Sequence, residues 1–184
     1  MIKEENVLIL DFLQHGYPLD NTPAYRRNPI AQAVGKTNFI LLELVPKREI
    51  FLQPNEEVYI GDGKRDKVHH VIGRIPYDKL TATAQAELDE LLILLVRKSE
   101  AKFVDFFNKA GPISTRMHQL ELLPGVGKKH MWEILERREE EEFKDFGDIK
   151  KRVKLMPDPE KTVKRRILAE LNNEDRYFLF VGHQ

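Results

Sequence analysis

Apolar positions recur along this chain in two rhythms. In the first third they come in short dense runs. Residues 5–13 (ENVLILDFL) and 38–45 (NFILLELV) are almost continuously apolar, as expected of strands buried on both faces. Residues 50–52, 57–60 and 68–75 are further short runs, and the Gly61-Asp62-Gly63 step between the last two predicts a hairpin. Between 14 and 35 the pattern is broken by Pro18, Pro23 and Pro29, so this stretch reads as one long surface loop carrying Tyr25, Arg26 and Arg27. Several short strands with no helix among them argue for a small closed or nearly closed β-barrel of the OB or SH3-like type.

From residue 79 the period lengthens to that of a helix. Residues 79–97 place Leu88, Leu91, Leu92 and Leu95 on one face, with Thr81 or Thr83 as N-cap. Residues 99–110 continue with Phe103, Phe106 and Phe107 inward, and Gly111-Pro112 is a stop. Ser114 reads as the cap of a further helix bearing Met117, Leu120 and Leu122. Residues 128–138 form the next helix, with Met131, Ile134, Leu135 and Arg138 on one face, and residues 148–156 and 161–171 give two more. Tyr177-Phe178-Leu179-Phe180-Val181 returns to a strand rhythm and is expected to pair with the barrel or pack on its wall. The expected fold is therefore α+β: a β-barrel over 1–78, connecting helices over 79–110, an all-α domain over 111–174, and a C-terminal strand over 175–184.

The segment Leu122-Leu123-Pro124-Gly125-Val126-Gly127-Lys128-Lys129 carries the chemistry. Two glycines allow a sharp turn and a close backbone approach. The helix that follows offers unpaired N–H groups and the positive end of its dipole, which together favour an anion. Lys128 and Lys129 add positive charge there. Setting Pro157 on Pro124 gives a repeat of 33 residues, pairing Leu120 with Val153, Lys128 with Lys161, Ile134 with Ile167 and Leu135 with Leu168. In the second copy Asp158 and Glu160 replace the glycines, and carboxylates there would repel a phosphate. That turn is expected to be structural, with Lys161, Lys164, Arg165 and their basic neighbours (Lys150, Lys151, Arg152, Lys154, Arg166) as flanking contacts.

On Leu123, Pro124, Gly125, Val126, Gly127, Lys128 and Ile134 the stretch resembles the helix-hairpin-helix motif of DNA- and RNA-binding proteins. Met131 stands where that motif prefers Ala. The resemblance implies that hairpin amides hold one backbone phosphate, and that the two copies form a tandem helix-hairpin-helix domain. As a whole the chain resembles an uncharacterised archaeal family of predicted nucleic-acid-binding proteins with a barrel followed by such a domain. Its hairpin domain also resembles that of the Holliday-junction-binding subunit of the bacterial branch-migration complex.

Composition narrows the alternatives. No apolar run approaches the roughly 20 residues that span a bilayer, and the N-terminus lacks a signal-peptide pattern, so a cytoplasmic protein is expected. With no Cys, thiol nucleophiles and Cys-ligated zinc are excluded. Net charge is zero, yet it is segregated: residues 150–166 hold eight bases and two acids, and residues 133–148 hold eight acids and three bases. Gly35-Lys36-Thr37 and Gly127-Lys128 fail as P-loops, the first for want of the upstream Gly and the second because Lys129 stands where a magnesium ligand is required. His69 and His70, adjacent on an expected strand, should point to opposite faces. No cofactor, metal site or catalytic pair is indicated. The expected activity is binding of the DNA or RNA backbone without sequence preference, through Gly125, Val126, Gly127, Lys128, Lys129, Lys161, Lys164 and Arg165. The alternatives are an adaptor of the ribosome or RNA polymerase, or a nuclease or RNA-modifying enzyme whose site is unrecognised.

Overall fold

The computed structural model describes residues 3–183. Its backbone divides into two compact units, one running to Leu91 and taking up the chain again from Leu171, the other from Leu92 to Glu170.

The first unit is a curled antiparallel sheet. β1 (Asn6–Leu13), β2 (Ile30–Gly35) and β3 (Leu41–Pro46) form a meander; β4 (Glu57–Tyr59) pairs with β1, and β5 (Val68–Arg74) pairs with β3. The spatial order is β4-β1-β2-β3-β5. β4 and β5 are thus the two edges of the sheet, not the hairpin their glycine-rich connection suggested. No ladder joins them, so the sheet is a half-barrel, not a closed barrel. Its concave side buries Val7 and Ile9 from β1, Ala31 and Ala33 from β2, Leu42 and Leu44 from β3, with Val58, Ile60 and Val68 from the edges.

β2 falls inside the stretch read as loop. Its residues Ala31, Gln32, Ala33 and Val34 are fully buried, and their small volume allows close packing in the middle of the sheet. The preceding Pro29 lies just outside the ladder, where its missing N–H costs nothing. Residues 50–52 form no strand; Leu52 is buried there from an irregular segment.

The remaining loop is held from within. Arg27 donates to the carbonyls of Thr22, Tyr17 and Asp20. Tyr17 donates to Glu43 and accepts from the buried Gln32, at 3.0 Å each. Burial above all pushes the Tyr17 phenol up to about 12. Arg27 is therefore a structural clasp, and Arg26 lies over the exposed ring of Tyr25 at 5.5 Å.

Helix α1 (Ala82–Lys98) begins at Thr81, whose hydroxyl accepts the Ala84 N–H at 3.0 Å. The unit boundary falls within this helix. The segment after Leu171 belongs to the first unit but forms no strand among the described residues: residues 177–178 are irregular and 179–181 are bends, with Phe180 buried, and the Gly182 N–H donates to the Asn38 carbonyl at 2.8 Å.

In the second unit α2 (Glu100–Lys109) is followed by a two-stranded ribbon, β6 (Pro112–Ser114) and β7 (Met117–His118), and one 3-10 turn (Gln119–Leu122). No helix starts at Ser114. His118 caps the turn instead: its Nδ1 accepts the Leu120 N–H at 3.1 Å, and its own N–H donates to Glu121 at 2.8 Å. Then come α3 (Lys128–Glu140), α4 (Phe146–Arg152) and α5 (Pro159–Leu171). α4 ends four residues before Met156, because Val153 is extended and Leu155 has positive φ.

Candidate nucleic-acid interface

The turn before α3 is built by Pro124, Gly125 and Gly127, and the two glycines serve different ends. Gly125 has φ +83°, and a Cβ there would stand 3.0 Å from Pro157 Cγ, so it needs glycine for both backbone and space. Gly127 is extended at φ −92° and a Cβ on it would meet nothing within 4 Å. Gly127 is the N-cap of α3, and no side chain accepts a hydrogen bond there. The first-turn N–H groups of α3 thus open toward solvent beside exposed Gly127, Lys128 and Lys129, while Val126 is buried and fixes the loop from below.

Lys128 is less mobile than the sequence suggests. Its ammonium pairs with Glu121 at 3.0 Å and reaches the Arg116 carbonyl at 3.4 Å. Lys128 and the His118 amide together hold the Glu121 carboxyl below its usual range, the amide bond first. Lys129 is exposed. One turn along α3 stands Trp132, the sole tryptophan, 65% exposed. The motif match does not include it; the helical period that buries Met131 and Ile134 places residue 132 on the outer face with Lys128 and Lys129.

The equivalent turn before α5 is arranged the other way. Asp158 accepts the Glu160 N–H at 3.0 Å and the Lys161 N–H at 3.5 Å, and its carbonyl accepts from Thr162 at 2.9 Å. α5 consequently starts at Pro159, two positions before Lys161, the residue that matches Lys128 in the repeat. The carboxylate read as a repeller of phosphate is an internal cap that already fills the anion position. Lys161 and Arg165 are exposed on this helix, and Lys164 is half-buried.

Two other arginines expected as flanking contacts are structural. Arg166 is buried in an ion pair with Glu170 at 2.9 Å and donates to the Leu122 carbonyl, which fixes the entry to the first turn. Arg152 donates to the carbonyls of Arg137 and Glu141 at the end of α3, satisfying acceptors the helix leaves over, and lies 4.7 Å from the Phe143 ring.

His69 and His70 do not diverge. β5 carries a bulge: Val68 pairs with Pro46 and His70 with Val45, leaving His69 without a partner position. The extra residue cancels the alternation, and the two Nδ1 atoms lie 2.8 Å apart. Among the described residues no group of three His, Cys, Asp or Glu side chains could hold a metal. At Gly35-Lys36-Thr37 an internal carboxylate again takes the amides: Glu4 accepts from Thr37 and Asn38 at 3.2 and 2.7 Å.

The fold defines a mixed α+β protein with a curled five-stranded sheet and five α-helices, and no helix among the described residues is long and apolar enough to cross a membrane. Residues 3–182 match the model of a family described as "Protein of unknown function (DUF655)", and the chain belongs to that family. It is 42% identical over 180 residues to the uncharacterized protein MJ0038 of Methanocaldococcus jannaschii, covering 97% of this chain and 80% of that protein. The crystal structure of Af1531 from Archaeoglobus fulgidus, also of DUF655, is similar with a TM-score of 0.88 at 44% identity, covering 97% of this chain and all of the other.

Proposed function

We propose that this protein binds the sugar-phosphate backbone of DNA or RNA without sequence preference, and that the turn Gly125-Val126-Gly127-Lys128-Lys129 is a helix-hairpin-helix that seats one phosphate. The observation that carries the reading is the uncapped start of α3. Its N–H groups face solvent behind a glycine that the backbone does not require, with lysines on the first turn. Lys161, Lys164 and Arg165 on α5 contribute through side-chain charge alone, because Asp158 occupies their helix start. In this reading the two copies form a tandem domain with one working hairpin. Exposed Trp132 offers a flat apolar surface beside the phosphate seat.

Phosphate contacts supply affinity and position but little sequence information. Binding is therefore steeply salt-dependent, since each phosphate neutralised on a duplex contributes about 0.9 to the slope of log K against log salt. The test is an anisotropy titration on two scrambled oligonucleotides, each as duplex and as single strand, at four salt concentrations. Similar affinity for both sequences and a steep salt slope are expected. A flat salt response refutes nucleic-acid binding and favours a protein-binding adaptor.

A further inference from the structure

β5 is an edge strand, and a bulge near its start turns two neighbouring histidines into a pair. On a regular strand His69 and His70 would stand on opposite faces. Here Val68 is opposite Pro46 and His70 opposite Val45, so His69 is the extra residue. Bulges re-aim side chains in this way and are over-represented beside active sites. Both rings are exposed and lie edge to face at 79°, with the two Nδ1 atoms 2.8 Å apart.

Two ring nitrogens at that distance cannot both present a bare lone pair to each other. A proton on one Nδ1 joins them as an N–H···N bond, the ordinary state of a neutral pair. A metal cation can stand where that proton stands. The ring that gives the proton up passes to its Nε2–H tautomer, which leaves both Nδ1 lone pairs free and both rings neutral.

The separation selects the ion. With metal–nitrogen bonds of roughly 2.0–2.1 Å, nitrogens 2.8 Å apart subtend about 86° at the metal. That is the angle between neighbouring positions of a square-planar or octahedral ion. A tetrahedral ion such as zinc holds its ligands about 109° apart and would need the nitrogens about 3.3 Å from each other. Imidazole suits copper, nickel and zinc alike, and tetragonal sites are those of Cu(II) and Ni(II). The charge beside the bulge is compatible with a cation, since the Lys67 ammonium is paired with Glu56. With two protein ligands, the ion keeps its remaining positions for water or a further donor.

We infer that His69 and His70 form a bidentate site for a divalent first-row ion, Cu(II) or Ni(II), bound through both Nδ1 atoms at the exposed edge of the sheet. The site is exchangeable, and it is independent of the hairpin and of nucleic-acid binding.

The test uses the full chain, with cupric, nickel and zinc chloride as probes, titrated by calorimetry at about pH 7.5, where an ordinary imidazole is neutral. Copper should bind at the pair with one equivalent, and its paramagnetic resonance spectrum should carry coupling to two nitrogens. His69→Gln and His70→Gln should each weaken copper binding about tenfold or more, because either one removes the chelate. Both side chains are exposed, so both variants should melt with the wild type. His130→Gln, on α3, should change nothing. Nickel should bind more tightly than zinc, since the angle suits the first and not the second. A loss in one of the two variants without the other means single-point binding of an adventitious ion only and overturns the proposal. So does copper affinity unchanged in both variants, or zinc bound more tightly than nickel.

Discussion

The starts of α3 and α5 occupy matching places in the 33-residue repeat, and they handle the same electrostatic problem in opposite ways. Both helices must satisfy first-turn amides. At α5 the chain supplies its own anion, Asp158, and the helix grows two residues toward its N-terminus to meet it. At α3 the cap is Gly127, which supplies nothing. A cap of glycine costs a few tenths of a kcal/mol against Asp or Asn, so an empty helix start is cheap to maintain. The comparison teaches that the acidic turn is not a damaged copy repelling a ligand. It is a turn whose helix start is capped from within.

The largest effect should come from making the first turn resemble the second. Gly127→Asp places a carboxylate where Asp158 already works, with open space for it and an ordinary φ. Oligonucleotide affinity should fall at least tenfold, about 1.4 kcal/mol or more, while the melting temperature holds or rises slightly. Unchanged affinity in a folded variant would refute the hairpin as the phosphate site.

The reverse change is expected to act on stability alone. Asp158→Ala removes the cap and should cost about 1 kcal/mol in denaturant unfolding, with affinity for duplex within twofold of wild type. A large loss of affinity in this variant would show that the two turns do not divide the labour as described.

A smaller effect should follow from the basic side chains of α5. Lys164→Ala with Arg165→Ala should lower the salt slope by about one to two units if both side chains meet phosphate, equally on unrelated sequences. An unchanged slope would confine the contact to Gly125 to Lys129.

The mildest is a pH effect at the turn that leads into α3. Burial, and then the nearby Arg138 charge, push the His118 imidazole below its usual value. Its Nδ1 is an acceptor from Leu120 and must stay unprotonated. The folded state therefore binds fewer protons than the unfolded state as pH drops below about 6.5. Stability from this group is complete above that value and is lost as pH falls from there through the lower folded pKa. Thermal melts of the wild type and His118→Gln between pH 7 and 5 should show a smaller decline in the variant.

How much of this was legible in the residues varied with the kind of signal. The helical stripes of Leu88, Leu91, Leu92 and Leu95, and of Phe103 and Phe107, marked buried faces, because side-chain volume and period act together there. β2 was hidden because most of its buried positions, Ala31, Gln32, Ala33 and Gly35, carry little hydrophobic signal beside the single Val34, and because three prolines nearby read as loop. The β4–β5 hairpin failed for another reason. The glycines at 61 and 63 lie in a bend packed against Tyr59 and do not close two strands on each other. Asp158 was legible as an acidic substitution and illegible as a cap, since its role depends on where α5 starts. The His69–His70 contact rests on a bulge set by pairing with β3, which no local pattern announces. The exposure of Trp132 follows from helical period alone, since Met131 and Ile134 take the buried face.

Gly125 and Pro157 meet across the two turns, with a Cβ on residue 125 falling 3.0 Å from the proline ring. The turn capped by its own carboxylate is thus a gauge block for the glycine turn: the thickness of one pyrrolidine ring sets the height of that loop. Wear on that block would be felt where it does not touch. A bulkier side chain at 157 would lift the glycine loop and shift its amides without altering a single donor in it, so under the proposed phosphate binding an oligonucleotide titration would register a residue outside the contact itself.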